Sequence, residues 1–327
     1  MRSGARDFLN KHGYASARVE PLPADASFRR YYRLHAGPRP TLLMDAPPPQ
    51  EDVRPFLAIS AHLHHIGLSA PEIFAADPDH GFILLEDFGP HTLADLLDSG
   101  TSPLPHYLAA AETLAALHAA PAPPGLPAWN AARMAETAAA TFLDWWWPEA
   151  MGTPAPSTEF ASAIHATLAP FAAEGFTHRD FFPANLVPLP ARDGPRALGL
   201  LDFQDAARGH PAYDLVSLVE DARRDVPEHV RDATVARYLT LRPEVDPRDF
   251  RAAMAAHAAQ RHLRVAALWV RLARRDGKPR YLRHGPRCWA LLDRALRHEA
   301  AAPLRRFLDA HVPPDLRRNP ASLDVTA

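Results

Sequence analysis

Three polar side chains in the middle of the chain have the types and spacing needed for phosphoryl transfer. His178-Arg179-Asp180 is followed five residues later by Asn185, and an apolar run then leads to Asp202-Phe203. Phosphoryl transfer needs a carboxylate beside the acceptor hydroxyl, and Asp180 fits that role. It also needs hard oxygen ligands for Mg²⁺, which bridges the nucleotide phosphates. The Asn185 amide and the Asp202 carboxylate are such ligands.

The order of these residues favours this chemistry over a chance match. H-R-D-x-x-x-x-N followed by D-F is the order found in kinase catalytic sites, and here it lies in a strand–loop–strand context. Either piece alone would be read as surface polar residues. Other motifs are missing: the sequence has no G-x-G-x-x-G, no Walker A and no H-E-x-x-H. This argues against a dinucleotide-binding turn, a P-loop nucleotidase and a zinc peptidase.

The elements around these residues predict an α+β fold with two lobes. Strand-like runs at 27–34, 40–46 and 81–89 surround a helical pattern at 51–68, so a small β-rich N-terminal lobe is predicted at 1–89. A larger, mainly helical C-terminal lobe is predicted at 90–327. Its predicted helices are 93–100, 107–120, 136–147, 211–222, 229–240, 248–275 and 286–310, and residues 312–327 are predicted to be a frayed tail.

Composition limits the class of protein. The chain has 327 residues, 47% hydrophobic and 23% charged, which is typical of a globular protein. A single cysteine, Cys288, excludes an intrachain disulfide and any multi-cysteine metal site. The first residues lack the apolar segment of a secretory signal, and no apolar run is long enough to span a membrane. We expect a cytoplasmic monomer with no membrane partner.

The net charge of -2 hides an asymmetry along the chain. Residues 1–222 hold 14 basic and 26 acidic side chains, whereas residues 223–318 hold 22 basic and 11 acidic ones. The C-terminal third is therefore expected to face an anionic group. Nucleic acid is not the expected partner, because the isoelectric point is about 6.8 and no recognition motif accompanies the arginines. Only two residues of the chain, Lys11 and Lys278, are lysines.

Several longer stretches resemble the aminoglycoside-phosphotransferase-like kinases, relatives of protein kinases that phosphorylate small molecules. The stretches are HRDFFPANLV, LGLLDFQDA and GHPAYDLVSLVEDARRDV, together with residues 25–48 and 260–282. The catalytic loop HRDFFPANLV is shared by the whole superfamily, whereas the other stretches resemble the subgroup that phosphorylates the anomeric hydroxyl of N-acetylmuramate and N-acetylglucosamine in cell-wall recycling. The likeness spans about residues 8–300. It implies a protein-kinase-like two-lobe fold, ATP and Mg²⁺ as cofactors, and a small amino sugar as substrate.

The resemblance also implies roles for individual residues. Asp180 resembles the catalytic base, and Asn185 and Asp202 resemble the Mg²⁺ ligands. The run FILLEDFG resembles the hinge between the lobes, where backbone groups near Glu86 and Phe88 would bind the adenine edge. The segment containing Ser27 occupies the place of a phosphate-covering loop, whose small residues let backbone N–H groups approach the phosphates.

The missing lysine is the main departure from the kinase pattern. Kinases place a lysine on the third strand to bind the nucleotide phosphates, but Met44 stands in that region here. Either an arginine such as Arg30 or Arg33 takes over this role, or the site binds nucleotide weakly. An arginine is chemically suitable because its guanidinium binds phosphate in a bidentate manner. The neighbouring Arg29 is expected to point outward from the strand.

The acceptor side is less well determined by the sequence. Asp214 is predicted to fix the catalytic loop through hydrogen bonds, and the adjacent Trp145, Trp146 and Trp147 are predicted mainly to pack in the core. Five residues are candidates for contact with the sugar, although capping or solvent exposure is an alternative for each. These candidates are Asp205, Glu220, Arg223, Arg261 and Arg264.

Two other functions remain open from the sequence alone. The same fold could phosphorylate an aminoglycoside, choline or another alcohol, although the arginine-rich third is poorly suited to a cationic acceptor. A nucleotide-binding regulator without catalysis would account for the missing lysine. The complete set of Asp180, Asn185 and Asp202 argues against that reading.

Overall fold

The computed structural model describes residues 1–23, 28–35, 37 and 39–323. The predicted phosphate-loop residue Ser27 lies outside the described residues. The chain divides into two compact units that each use two separate segments. The first unit contains Met1–Ser102 and Pro183–Asp205, and the second contains Pro103–Phe182 and the chain from Ala206 onward. The predicted lobe boundary between residues 89 and 90 stays a prediction.

The first unit contains both strands and helices, and helices dominate the second. The strands are β1 Arg18–Pro21, β2 Arg30–His35, β3 Thr41–Asp45, β4 Ile73–Asp77, β5 Phe82–Glu86, β6 Gly175–Thr177, β7 Leu186–Pro188, β8 Leu198–Leu200 and β9 Ala207–Gly209. The helices are α1 Ala5–Lys11, α2 Arg54–His65, α3 Leu93–Asp98, α4 Pro103–Ala119, α5 Ala131–Thr141, α6 Trp147–Ala150, α7 Ser157–Leu168, α8 Ala212–Val219, α9 Glu228–Leu241, α10 Pro247–Arg274, α11 Gly285–Leu296 and α12 Ala302–His311. None of the helices in the described ranges is both long and apolar enough to cross a membrane.

The first unit is built on a five-stranded antiparallel sheet with the order β1-β2-β3-β5-β4. In the centre of this sheet Leu43 of β3 lies opposite Leu84 of β5, and both side chains are fully buried. Phe8 of α1 stacks on Phe82 at the start of β5, with 5.7 Å between ring centroids. The apolar residues of β3 and β5 therefore face a shared core, as expected for strands in the middle of a sheet.

Helix α2 follows from its apolar spacing and from the glycine after it. Phe56, Ile59 and Leu63 are buried on one face. Gly67 has a positive φ of 79°, and the N–H of Leu68 donates to the carbonyl of Leu63 at 2.9 Å. This is the Schellman arrangement, in which a left-handed residue after the last turn satisfies free helix carbonyls.

The second unit is organised around the 28-residue helix α10. Asp246 caps its first turn by accepting hydrogen bonds from the N–H groups of Arg248 and Asp249, and Pro247 occupies the first position. Alanine, leucine and arginine, all strong helix formers, make up much of the rest. The helix packs against α5, α8 and α11. The predicted helix at 248–275 is thus confirmed almost to the residue.

The tryptophan run lies in the core of the second unit, as predicted. Trp146 and Trp147 are buried, and Trp145 is partly buried against the same cluster. The ring of Trp146 stacks on Phe142 at 4.7 Å, within a π-helical turn that joins α5 to α6. Its Nε1 donates to the carbonyl of Arg318 at 2.8 Å. That contact contradicts the predicted frayed tail over residues 312–323, which instead pack on the core.

One helix that the sequence predicts as continuous is in fact two helices. Residues 286–310 form α11 and α12, separated by a short turn at Glu299–Ala301. Pro303 explains the break, since proline lacks an N–H and its ring clashes with the carbonyl four residues before it. The helical pattern missed α7 entirely.

Candidate active site

The loop that carries Asp180 is fixed by a buried carboxylate. Asp214 lies in the first turn of α8 and is fully buried. Its Oδ2 accepts a hydrogen bond from the N–H of His178 at 2.6 Å, and its Oδ1 accepts one from the N–H of Arg179 at 2.8 Å. Hydrogen bonds to an ionised acceptor are about twice as strong as neutral ones. The predicted loop-fixing role of Asp214 is confirmed.

A buried histidine and a tyrosine extend this network. Nε2 of His118 lies 3.3 Å from Oδ2 of Asp214, and Nδ1 lies 2.8 Å from the hydroxyl of Tyr238. Burial lowers the pKa of His118 and outweighs the opposing effect of Asp214. The neutral ring can then donate to the carboxylate through Nε2 and accept from Tyr238 through Nδ1. The whole network is enclosed in the second unit.

The backbone is strained in both the H-R-D segment and the D-F segment of the motif. Among the described residues, the non-glycine residues with positive φ are Arg179, at 76°, and Asp202, at 57°. Such conformations cost about 1–3 kcal/mol each and persist where the surrounding structure imposes them. At Arg179 the imposed contacts are the Asp214 hydrogen bond and the ring of Trp129, whose centroid lies 4.0 Å from the guanidinium carbon.

The predicted metal ligands lie at one end of a two-stranded ladder in the first unit. Strands β7 and β8 are antiparallel, with Leu186 opposite Leu200. The pairing continues by one more residue pair, before the start of β7 and after the end of β8, where the N–H of Leu201 donates to the backbone carbonyl of Asn185 at 2.9 Å. Asp202 is the next residue. The ladder therefore brings the amide of Asn185 and the carboxylate of Asp202 to the same end of the two strands.

This pair of oxygen donors fits Mg²⁺. Magnesium is usually bound through one or two protein oxygens, with phosphate and water oxygens completing the coordination. The described residues contain no group of three or more histidine, cysteine or acidic side chains that could hold a metal by themselves.

Gln204 hydrogen-bonds to both acidic side chains at this end of the site. Its Nε2 donates to Asp202 at 2.9 Å and to Asp205 at 3.2 Å.

Helix α2 anchors the segment that carries Asp202. The ring of Phe203 is fully buried and stacks on Phe56 of α2, with 4.7 Å between centroids. Sequence reasoning placed Phe203 in the motif and Phe56 on an apolar helix face. Their contact could not be foreseen because about 150 residues separate them.

The arginines near β2 have different surroundings. The guanidinium of Arg33 is already bound by Asp87, at 2.5 Å from Nε and 3.1 Å from Nη2. Arg30 is exposed, and its Nη1 donates to the carbonyl of Arg29. The side chain of Arg29 is only 14% exposed, with its Nε 3.2 Å from Glu51. The expectation that Arg29 points outward is therefore wrong.

The predicted hinge is packed and largely hydrogen-bonded. The N–H of Glu86 donates to the carbonyl of Glu72 at 2.8 Å, so it is already used within the sheet. The carboxylate of Glu86 pairs with Arg192. That arginine lies over the ring of Phe88, 5.3 Å from its centroid. Phe88 also packs on Gly199, where a Cβ atom would lie 2.5 Å from the phenyl ring.

Glu220 is engaged by other side chains of the second unit. Its Oε2 lies 2.8 Å from Nε2 of His262, and its Oε1 lies 2.7 Å from Nη2 of Arg294. Burial alone would raise the pKa of Glu220, but these two partners outweigh it and the pKa is lowered. Asp205, the last residue of the first unit, is exposed.

The three predicted substrate arginines belong to the second unit. Arg223 is exposed, with its guanidinium carbon 4.9 Å from the centroid of the Phe182 ring. Arg264 on α10 is half-buried and donates to the hydroxyl of Tyr213 at 3.1 Å. Arg261, one turn earlier, is only 4% exposed. Solvent exposure, one of the alternatives considered for Arg261, is therefore wrong.

The candidate residues separate by role between the two units. The described nucleotide and metal candidates, together with Asp205, belong to the first unit, and the proposed base and the other acceptor-side candidates belong to the second. The first group is Arg30, Arg33, Glu86, Phe88, Asn185 and Asp202. The second is Asp180, Glu220, Arg223, Arg261 and Arg264.

Fold and site together define a phosphotransferase of the kinase type. The sequence profile of the phosphotransferase enzyme family (APH) matches residues 18–248, and the chain belongs to this family. The predicted family and the predicted protein-kinase-like α+β fold are confirmed. Among solved structures, a microcompartment-associated aminopropanol kinase covers 90% of the chain, and 97% of that structure is matched, with a TM-score of 0.63 and 18% identity. An ADP-bound aminoglycoside phosphotransferase gives a TM-score of 0.57 at 13% identity, covering 80% of this chain and 90% of that one.

Closer relatives carry a more specific name. The chain is 37% identical to an N-acetylmuramate/N-acetylglucosamine kinase of Caulobacter vibrioides, over 95% of this chain and 96% of that protein. A protein with the same name from Pseudomonas aeruginosa is 36% identical, over 86% of this chain and 84% of that protein.

Proposed function

We propose that the protein is an ATP- and Mg²⁺-dependent kinase that phosphorylates the anomeric hydroxyl of N-acetylmuramate and N-acetylglucosamine in peptidoglycan recycling. The observation that carries the proposal is the likeness, over nearly the whole chain, to relatives named for both sugars. The fixed catalytic loop supports it, because Asp214 holds the backbone just before Asp180.

In this proposal Asp180 accepts the proton of the anomeric hydroxyl, the sugar oxygen forms a bond to the γ-phosphorus of ATP, and the bond from that phosphorus to the β,γ-bridging oxygen breaks to release ADP. A carboxylate placed at the acceptor contributes both orientation and general-base catalysis. Asp214 acts through the backbone of the loop and does not contact the sugar. The Asp214–His118–Tyr238 network thus serves as the rigid support of the base.

The nucleotide side of the proposal uses residues of the first unit. Asn185 and Asp202 would hold Mg²⁺, which when bound neutralises charge on the β- and γ-phosphates. The hinge residues Glu86 and Phe88 would lie beside the adenine. We propose Arg29 for the role of the missing lysine, because its pair with Glu51 matches the lysine–glutamate pair of kinases, whereas Arg33 uses both Nε and Nη2 on Asp87. Arg30 and Ser27 remain proposed contacts of the phosphates.

A coupled ADP-release assay tests the function. The wild-type protein is incubated with ATP, Mg²⁺ and each amino sugar, and the sugar phosphate is identified by mass spectrometry. Asp180→Asn is expected to lower kcat by about 10²- to 10⁴-fold, because the base is lost while the shape of the site is kept. Asp232→Asn, an exposed change on α9, is the matched control. Full turnover by Asp180→Asn would contradict the mechanism.

The same assay separates the other functions. Phosphorylation of kanamycin or choline but of neither amino sugar would favour a kinase for cationic alcohols. ATP binding without transfer to any acceptor would favour a regulator. A monomeric state and a cytoplasmic location are further parts of the proposal.

A further inference from the structure

Arg261 is a buried arginine, and within the described part of the chain part of its guanidinium has no hydrogen-bond acceptor. Its side chain lies in the middle of α10 and the residue is 4% exposed. Neither Nε nor Nη1 has a hydrogen-bond partner among the described residues. A guanidinium removed from water without an acceptor costs several kcal/mol, so buried arginines are normally paired. The Nε and Nη1 groups of Arg261 could therefore donate hydrogen bonds to a bound anion at this position.

The nearest candidate for an internal partner does not fill this role. Asp221 is buried, and the charges of Arg261, Arg223 and Arg224 act on it, but it forms no ion pair with Arg261 in the described part of the chain. It accepts instead from the backbone N–H of Arg223 at 2.8 Å. Burial raises the pKa of Asp221 despite the arginines, which weakens it as a counter-ion.

A second arginine connects this position with the proposed base. Arg264 follows Arg261 by three residues, so their side chains leave the same side of α10. Arg264 donates to Tyr213, and its Nε has no partner among the described residues. Burial opposes the charge of Arg264, but Tyr213 and the carboxylate of Asp180 outweigh it and its pKa is raised. Arg264 is therefore electrostatically coupled to Asp180.

A further arginine lies two turns after Arg264 on α10. Arg271 is half-buried, and its Nε lacks a hydrogen-bond partner within the described ranges. Burial lowers the pKa of Arg271, and the positive charges of Arg275 and Arg264 add to this effect. Positive charge thus accumulates along this side of α10, where the described residues supply few acceptors.

We propose that Arg261 and Arg264 form a subsite for the lactyl carboxylate of N-acetylmuramate, and that this subsite sets the preference between the two amino sugars. The inference rests on the proposed function. N-Acetylglucosamine has a neutral hydroxyl where N-acetylmuramate carries the lactyl ether, so only the second sugar supplies the missing acceptor. A carboxylate matches the two parallel N–H groups of a guanidinium.

The test compares the two sugars as substrates of one protein. The kcat/KM ratio of N-acetylmuramate to N-acetylglucosamine is measured for the wild type, Arg261→Met and Arg261→Lys. Methionine keeps an unbranched apolar side chain and removes the charge. Arg261→Met is expected to lower the ratio by about 10- to 100-fold, mostly through the KM for N-acetylmuramate, which is the range of a hydrogen bond to a charged group. Arg261→Lys is expected to restore part of the ratio.

Two controls separate charge from shape and folding. Arg251→Met, an exposed change on the same helix, should leave the ratio as in the wild type. The methyl ester of N-acetylmuramate keeps the lactyl group without its charge, so Arg261→Met should not reduce its use relative to N-acetylglucosamine. Without sugar, Arg261→Met is expected to melt at a higher temperature than the wild type, because it removes an uncompensated buried charge.

The failures of the two proposals are distinguishable. A wild-type protein that phosphorylates neither sugar removes the proposed function. A wild-type protein that uses both sugars, with an Arg261→Met variant that keeps the wild-type ratio, removes the subsite and leaves the function intact. A wild-type protein active on N-acetylglucosamine alone also removes the subsite.

Discussion

At the scale of single residues, Asp214 determines where the catalytic loop lies. It is one of the few fully buried carboxylates among the described residues, and it accepts two backbone N–H groups as well as a contact from His118. The loop residues it binds include Arg179, whose backbone is in a strained conformation. The hydrogen bonds of Asp214 help to hold this strained backbone, so we expect the residue to affect both stability and rate.

Replacing Asp214 by asparagine is expected to damage both properties. The new amide keeps one acceptor but turns an NH₂ group toward a backbone N–H, so one buried donor loses its partner. We expect the free energy of unfolding to fall by about 2–4 kcal/mol and kcat to fall by about 10²-fold. Urea unfolding and steady-state kinetics measure the two effects. Ser217→Ala, a buried change on the same helix, is the control. A folded Asp214→Asn with wild-type kcat would show that the loop does not depend on this carboxylate.

The residues of this network show what the sequence reveals at this scale. Asp214 follows the catalytic motif within an apolar helix, and that context was sufficient to predict its role. His118 and Tyr238 gave no such signal, because one lies 96 residues before Asp214 and both read as ordinary members of α4 and α9. Arg261 was found as a candidate from its spacing, but its burial depends on packing between helices that spacing does not describe.

At the scale of elements, the start of β2 and the segment before α2 are joined by the Arg29–Glu51 pair. Both side chains are largely buried in the first unit, at 14% and 17% exposure. An ion pair of this kind orients a cation for a phosphate group, which is the role of the lysine in kinases. The sequence alone could not single out Arg29, since alternation along a strand predicted the opposite direction for its side chain.

Methionine substitutions distinguish Arg29 from Arg33. Arg29→Met is expected to raise the KM for ATP by about 10- to 100-fold, because a charged contact with the phosphates is lost. Arg33→Met should raise it less and should mainly reduce stability, since Asp87 loses its partner. The measurement is initial rate against ATP concentration at saturating sugar. Arg18→Met, on the exposed face of β1, serves as the control. An Arg29→Met variant with the same KM as this control would contradict the assignment.

Element boundaries were predictable where a local cause exists. Asp246-Pro247 begins α10, and Gly67 ends α2. The missed break between α11 and α12 also has a local cause in Pro303, which the helical pattern on either side concealed. The two short strands β1 and β4 had no comparable signal, because they are defined by pairing with β2 and β5.

At the scale of the whole molecule, acidic and basic residues are concentrated in different parts of the sequence. The acidic first part of the chain contains the proposed base and metal ligands, and the arginine-rich last part contains the proposed subsite for a carboxylate. Burial adds a second pattern, since several histidines of the second unit are held neutral. Burial lowers the pKa of His210 to about 3 and that of His257 to about 4. The rings of these two residues lie 5.1 Å apart.

These buried histidines predict a loss of stability in mild acid. An unfolded histidine binds a proton below about pH 6.5, whereas folded His257 does so only below about pH 4, so protonation favours the unfolded state between these values. The contribution of neutral His257 to the free energy of unfolding is therefore fully present above about pH 6.5 and is lost as the pH falls toward 4. Between pH 7 and 4.5, His257 alone should account for about 2–3 kcal/mol of this loss. Between pH 7 and 4.5, the free energy of unfolding measured in urea is expected to fall by that much less for His257→Gln than for the wild type. The exposed variant His229→Gln should follow the wild type. Equal losses in all three proteins would show that His257 does not contribute to the acid sensitivity.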